Sequence, residues 1–170
     1  IQFAIHYMFE NNNSLQNFLT NVSECTQIGG YFIGTCFNGK KIFDILKDKK
    51  ENESYTIMSG DKKITEITKR YDRKEFDDNN SCLGYSIDVY QESINKVFRE
   101  YLVNFDYLDN LMQNYGFVKL TDDELKRINI PNSVGSFSEL YYIMEEEINK
   151  NAANKNKYGQ ANNLTDKEKE

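Results

Sequence analysis

The chain has 170 residues and a formal charge of −6, with 39% hydrophobic and 14% aromatic side chains and a single Pro. That is enough for one domain with an aromatic-rich core, and too little Pro and Gly for a collagen-like or linker-dominated chain. The acidic balance excludes a broad phosphate-gripping surface, so a nucleic-acid partner must be held locally; no apolar run reaches the ~18 residues of a membrane span, and no basic-then-apolar leader is visible.

Ile1 to Ile5 reads as a short buried strand that ends at His6-Tyr7. Asn13 or Ser14 is expected to cap a helix running to about Gln27. Its apolar residues Leu15, Phe18, Leu19 and Val22 recur on one face of a 3.6-residue period. Gly29-Gly30 is the expected stop. Tyr31 to Cys36, β-branched and aromatic, reads as a second strand, and Asn38-Gly39 as a turn. Lys41 to Lys47 reads as a helix with Ile42, Ile45 and Leu46 inward. Strand, helix, strand, helix is the rhythm of a parallel α/β sheet.

The character then changes. Lys47 to Glu53 is a charged loop, Tyr55 to Met58 and Ile64 to Tyr71 read as strands joined at Gly60-Asp61, and Arg73 to Ser81 reads as a loop. In Leu83 to Tyr90, Tyr85, Ile87 and Val89 alternate with Ser86, Asp88 and Tyr90, which predicts an antiparallel strand. A helix from about Asn104 to Tyr115 carries Phe105, Leu108, Leu111 and Met112 at helical spacing and ends at Gly116. Phe117 to Leu120 reads as a strand, and Thr121 as the cap of a short helix through Arg127. After Pro131, Ser136 starts a helix with the stripe Phe137, Leu140, Tyr141 and Met144. From about residue 150 the composition is Asn, Lys, Ala, Asp and Glu, too polar to offset ordering entropy, so a mobile tail over 150–170 is expected.

Three stretches carry chemistry. Gln2 to Glu10 places polar and aromatic groups, including the chain's single His, at the end of a strand, where open α/β sheets bind ligands. Gly34 to Gly39 ends a second strand at the same edge. Arg99 to Val103 sets a carboxylate among apolar residues ahead of a helix. Each has an ordinary reading: a satisfied structural histidine, a plain strand-to-helix turn, and a helix N-terminal acid favoured by the backbone dipole. No nucleotide-binding glycine motif and no zinc-ligand spacing occurs. Cys25, Cys36 and Cys82 match no metal pattern, and an odd count suits reduced thiols. A Cys36–His6 dyad has nothing in the sequence to activate it.

Together, Gln2-Phe3-x-x-His6-Tyr7-x-Phe9-Glu10, about twenty residues to Gly29-Gly30-Tyr31-Phe32-Ile33-Gly34-Thr35, and Glu100-Tyr101-Leu102-Val103 ahead of Tyr115-Gly116-Phe117 resemble the mRNA cap guanine-N7 methyltransferases. The stretches Val134 to Leu140 and Ile87 to Tyr90 are similar to the methyltransferase portion of giant-virus capping enzymes. The resemblance implies a partial class I, Rossmann-like α/β sheet: the C-terminal half of the methyltransferase domain over residues 1–149, with an inserted antiparallel segment at 47–81. The family's glycine-rich donor motif and its last cap-contacting tyrosine are not found here, and Phe37 stands where the family often has Pro. A fragment of a larger polypeptide, inactive alone, is expected.

The resemblance further implies methyl transfer from S-adenosylmethionine to guanine N7 of the mRNA 5′ cap. Gln2, Phe3 and Tyr7 would contact the donor, and His6, Tyr7 and Glu100 the cap guanine, with no catalytic acid or base and no metal. Implied partners are the 5′ cap and fused triphosphatase or guanylyltransferase domains, with no membrane. The implied location is intracellular: virion or host cytoplasm for a viral protein, nucleus for a cellular one. Two other readings stay open, a small-molecule methyltransferase on the same scaffold and a non-catalytic methyltransferase-like interaction domain.

Overall fold

The computed structural model describes residues 1–159; the expected tail over 150–170 therefore lies partly outside the described residues. The chain forms two compact units, Ile1–Val118 and a second from Lys119 onward. The class is mixed α/β, as expected. Among the described residues, no helix is long and apolar enough to cross a membrane.

Helix α1 spans Asn12–Cys25, with Asn11 rather than Asn13 or Ser14 as its cap: the Ser14 amide donates to Asn11 Oδ1 at 3.0 Å. It ends at Thr26, not at the glycines, because the Thr26 amide and hydroxyl both donate to the Val22 carbonyl. Gly29 at φ +79° then makes the following turn. Leu15 and Leu19 are fully buried, as the period predicts.

The first expected strand is shorter than its apolar run. Residues 1–3 pair in parallel with 33–35 through Thr35 N–H to the Ile1 carbonyl (3.0 Å) and Phe3 N–H to the Thr35 carbonyl (2.8 Å). The chain then turns into a 3-10 helix, Ile5–Glu10. His6 and Phe9, three residues apart, bury on one face at the spacing of a 3-10 turn, with Ile5 buried beside them, which a largely apolar run conceals. Among the described residues Tyr31–Cys36 keeps only that one parallel bridge, and Tyr31 and Ile33 are exposed.

Helix α2, Gly39–Ile45, starts two residues early, capped by Asn38. Gly39 is required by contact: a Cβ there would lie 2.3 Å from the Val103 carbonyl oxygen. Ile42, Phe43 and Leu46 face inward, while Ile45, expected inside, is exposed.

Four strands, β1 (Ser54–Ser59), β2 (Lys62–Lys69), β3 (Ser86–Gln91) and β4 (Lys96–Tyr101), form an antiparallel sheet in sequence order. β4 is absent from the sequence reading, and it carries Glu100. Pairing sets Ile87 opposite Glu100 and Asp88 opposite Arg99. Successive side chains alternate, so Tyr85, Ile87, Val89 and Glu100 share the face under α2, and Asp88 and Arg99 share the other.

Helix α3, Phe105–Asn114, is capped by the buried Asn104, whose Oδ1 accepts from the Tyr107 amide. The expected strand at Phe117 does not form, because the Phe117 amide instead donates to the Met112 carbonyl and closes α3. One core cluster joins the 3-10 helix, α1 and α3 through Ile5, Phe9, Leu15, Leu19, Leu108 and Met112. The second joins α2 to the sheet through an aromatic group of Phe43, Tyr71, Phe76 and Tyr85.

In the second unit, α4 (Asp122–Ile128) and α5 (Phe137–Lys150) both begin with reciprocal capping boxes, Thr121 with Glu124 and Ser136 with Glu139. Of the expected stripe on α5, Met144 is buried but Phe137 and Leu140 are exposed. A 3-10 helix, Ala152–Lys157, opens the polar tail.

Candidate functional site

His6 sits on the 3-10 helix, directly after Ile5 of the first core cluster. Glu100 sits on β4 beside Ile87 of the second. Their meeting point is therefore the seam between the two cores. The expected helix N-terminal role of Glu100 does not hold: α3 starts at Phe105, and its first-turn acid is Asp106.

The two groups face each other directly. His6 Nδ1 lies 3.7 Å from Glu100 Oε2, with the side chains 5% and 11% exposed. That distance is too long for a hydrogen bond. Both ring nitrogens of His6 and the Oε2 of Glu100 are buried without a hydrogen-bond partner among the described residues. Placing His6 and Glu100 on the cap guanine calls for a hollow one purine wide between imidazole and carboxylate; at 3.7 Å no such gap is present, and the pair forms a single wall. Burial holds the Glu100 carboxyl up to about 7 and pushes the His6 imidazole below its ordinary value. At neutral pH the histidine is neutral and the glutamate is poised between its two forms.

Tyr7 stacks edge-on to His6 with ring centroids 4.3 Å apart, and remains half-exposed. Phe3 is also half-exposed and takes φ +48°, a left-handed conformation unusual for an aromatic residue. Gln2 carries the parallel bridge to Thr35 and lines a recess of about 340 Å³ with Ile1, Ile33, Gly34 and Thr35. All five sequence-chosen residues thus lie on one stretch of chain and the strand packed beside it.

The Cys36 thiol is pushed up to about 12 by burial and by the Glu100 charge. It is a poor nucleophile at neutral pH, so the Cys36–His6 dyad gains no support. One contact was not legible in the sequence: the Tyr101 hydroxyl donates to Glu10 Oε1 at 3.0 Å and ties the end of the 3-10 helix to β4. Residues 91 apart in the chain carry no local signal of such a bond.

The chain matches the model of the mRNA (guanine-N(7))-methyltransferase domain over residues 1–169. It is 33% identical over 129 residues, 73% of this chain, to a probable mRNA-capping enzyme of Acanthamoeba polyphaga mimivirus, of which that match covers 11%. It is 29% identical over 116 residues, 68% of this chain, to the mRNA cap guanine-N(7) methyltransferase of Saccharomyces cerevisiae, covering 26% of it. A segment of 52 residues, 31% of this chain, is 42% identical to the Aspergillus niger protein of the same description, covering 8% of it. The chain thus spans between about a tenth and a quarter of the curated relatives it matches over most of its length.

Proposed function

The chain belongs to the mRNA (guanine-N(7))-methyltransferase family, and from that premise we propose that its His6–Glu100 wall binds the guanine of the mRNA 5′ cap for methylation at N7. The single observation that carries this reading is the set of unpartnered polar atoms on that wall. Leaving a buried donor or acceptor unpaired costs about 1–3 kcal/mol, so a fold that keeps several is served by a ligand that pairs them.

Guanine has the matching edge. Its N1–H and exocyclic amine are adjacent donors, and an ionised carboxylate offers two acceptors. Adenine lacks that donor pair and would leave Glu100 desolvated and unpaired, the situation in which binding sites discriminate by ~10⁴. The neutral His6 keeps one ring nitrogen as donor and one as acceptor, and half-exposed Tyr7 offers a face for stacking, worth ~1–3 kcal/mol per base.

S-adenosylmethionine, when bound, supplies a methyl group already activated on a positively charged sulfur. The exposed amide of Gln2 and the half-exposed rings of Phe3 and Tyr7 suit such a molecule, since aromatic faces attract cations and an amide both donates and accepts. These three residues would hold the donor. Guanine N7 attacks through a lone pair and releases no proton, so the chain needs no general base. Its task is alignment, worth roughly 7–11 kcal/mol when the geometry is good. Methylation leaves a positive purine, and an ionised Glu100 beside it stabilises the charge as it develops.

Glu100→Ala in the full-length protein tests the reading. It is expected to lower kcat/KM for N7 methylation of a capped RNA by at least ~10²-fold. A loss within twofold would remove Glu100 from the guanine site.

A further inference from the structure

β4 presents more than Glu100 on that face. Side chains alternate along a strand, so Lys96, Phe98 and Glu100 project from one face, spaced by about 6.6–6.8 Å per two residues. Phe98 is 39% exposed, although its cross-strand partner Val89 is 1% exposed. Lys96 is exposed, and its ammonium has no ion pair or hydrogen bond among the described residues. β4 is the last strand of the sheet, and its outer edge pairs with no strand among the described residues. A buried acid, a part-exposed ring and an exposed cation thus stand in line along one face of β4.

We propose that this line is a subsite for the nucleotide next to the cap guanine: Phe98 stacks its base and Lys96 takes the phosphate beyond it. The proposal rests on the assignment of Glu100 to the guanine. A phenylalanine ring supplies no hydrogen bonds, so it accepts any base by its π face. A lone ammonium acts as a point charge on phosphate and reads no sequence. Such a subsite is indifferent to the first transcribed base and distinguishes a capped RNA from a free guanine nucleotide. It also fits the acidic chain, since one unpaired lysine at one phosphate is local recognition.

The test uses the full-length protein with three acceptors: GTP, the cap dinucleotide GpppA, and a capped trinucleotide. Phe98→Leu keeps an apolar side chain on the strand but removes the ring. It is expected to raise the ratio of KM for GpppA to KM for GTP about tenfold, and Phe98→Tyr to restore it. Lys96→Glu is expected to raise KM for the capped trinucleotide relative to GpppA, and to reduce the salt dependence of trinucleotide binding by about one phosphate contact. Unchanged ratios, with Glu100→Ala still severely impaired, overturn the subsite alone. If Glu100→Ala is harmless for all three acceptors, the guanine assignment fails and the subsite falls with it.

Discussion

Glu100 and Asp88 stand on adjacent strands, one register step apart, on opposite faces of the same sheet. Their side chains are nearly equally buried, 11% and 13% exposed. Their chemistry is opposite. Arg70 Nε donates to Asp88 Oδ2 at 2.6 Å and Arg99 donates to both oxygens, which holds the Asp88 carboxyl below its usual range. Glu100 faces a neutral imidazole at 3.7 Å and has no cationic partner among the described residues, and desolvation pushes it up to about 7. Burial alone therefore does not decide what a carboxylate does in this fold. Asp88 is satisfied by its two arginine partners, whereas Glu100 Oε2 is buried without a hydrogen-bond partner among the described residues, which is why the guanine's donors are proposed for it.

The contrast can be broken most sharply through acceptor discrimination. An inosine cap lacks the exocyclic amine and is expected to be methylated about 10–100-fold less efficiently than a guanosine cap, the value of one hydrogen bond to a charged group. Glu100→Ala should erase that difference, whereas Asp88→Ala should preserve it. A preference that survives Glu100→Ala would place the reading of the amine elsewhere.

A smaller effect lies in stability against pH, and the two carboxylates contribute with opposite signs. Glu100 in the folded chain has a pKa of about 7, above the ordinary 4.5, so the folded state keeps its proton longer than the unfolded state. Stability from this group is full below pH 4.5 and declines up to about pH 7, by on the order of 3 kcal/mol. Glu100→Gln should remove the decline and raise the denaturation midpoint at pH 8; superimposable profiles for the two proteins would contradict this. Asp88 is depressed below 3.8, so its contribution is present above that value and lost as pH falls through the folded pKa. Asp88→Ala should cost about 1–2 kcal/mol at pH 7, moderated by the exposure of both arginines, and progressively less as pH falls below 3.8. Smallest is Tyr101→Phe, which removes the exposed bond to Glu10. It should cost under about 1 kcal/mol and shift KM for the cap dinucleotide by less than about threefold, as measured by denaturation and steady-state assay.

Much of the fold was legible where period and caps agreed. The burial of Leu15 and Leu19 on α1, the alternation in β3, and the caps Thr121 and Ser136 follow from local pattern. β4 was not, because Lys96, Arg99 and Glu100 interrupt its apolar alternation, and the charge at its core-facing position is the one proposed for the guanine. A residue that serves a ligand breaks the pattern by which its strand would be found. The 3-10 helix was hidden for another reason: His6 and Phe9 bury three residues apart, with Ile5 beside them, inside a run that is largely apolar. Phe43 displaced Ile45 inward because the aromatic group with Tyr71, Phe76 and Tyr85 receives it. The residues proposed for the site were identified by resemblance, but their geometry was not. Neither the direct approach of His6 to Glu100 nor the absence of a purine-wide gap between them can be read from a separation of 94 positions.

The most direct measurement is titration of Glu100 itself, by carbon NMR of a selectively labelled carboxylate in the full-length protein, with and without GpppA. The free protein should titrate Glu100 near 7. Guanine donors favour the ionised form, so the ligand should lower that value by a unit or more while Asp88 stays depressed in both states. A Glu100 that titrates near 4.5 in the free protein, or whose titration ignores the cap dinucleotide, would contradict the account.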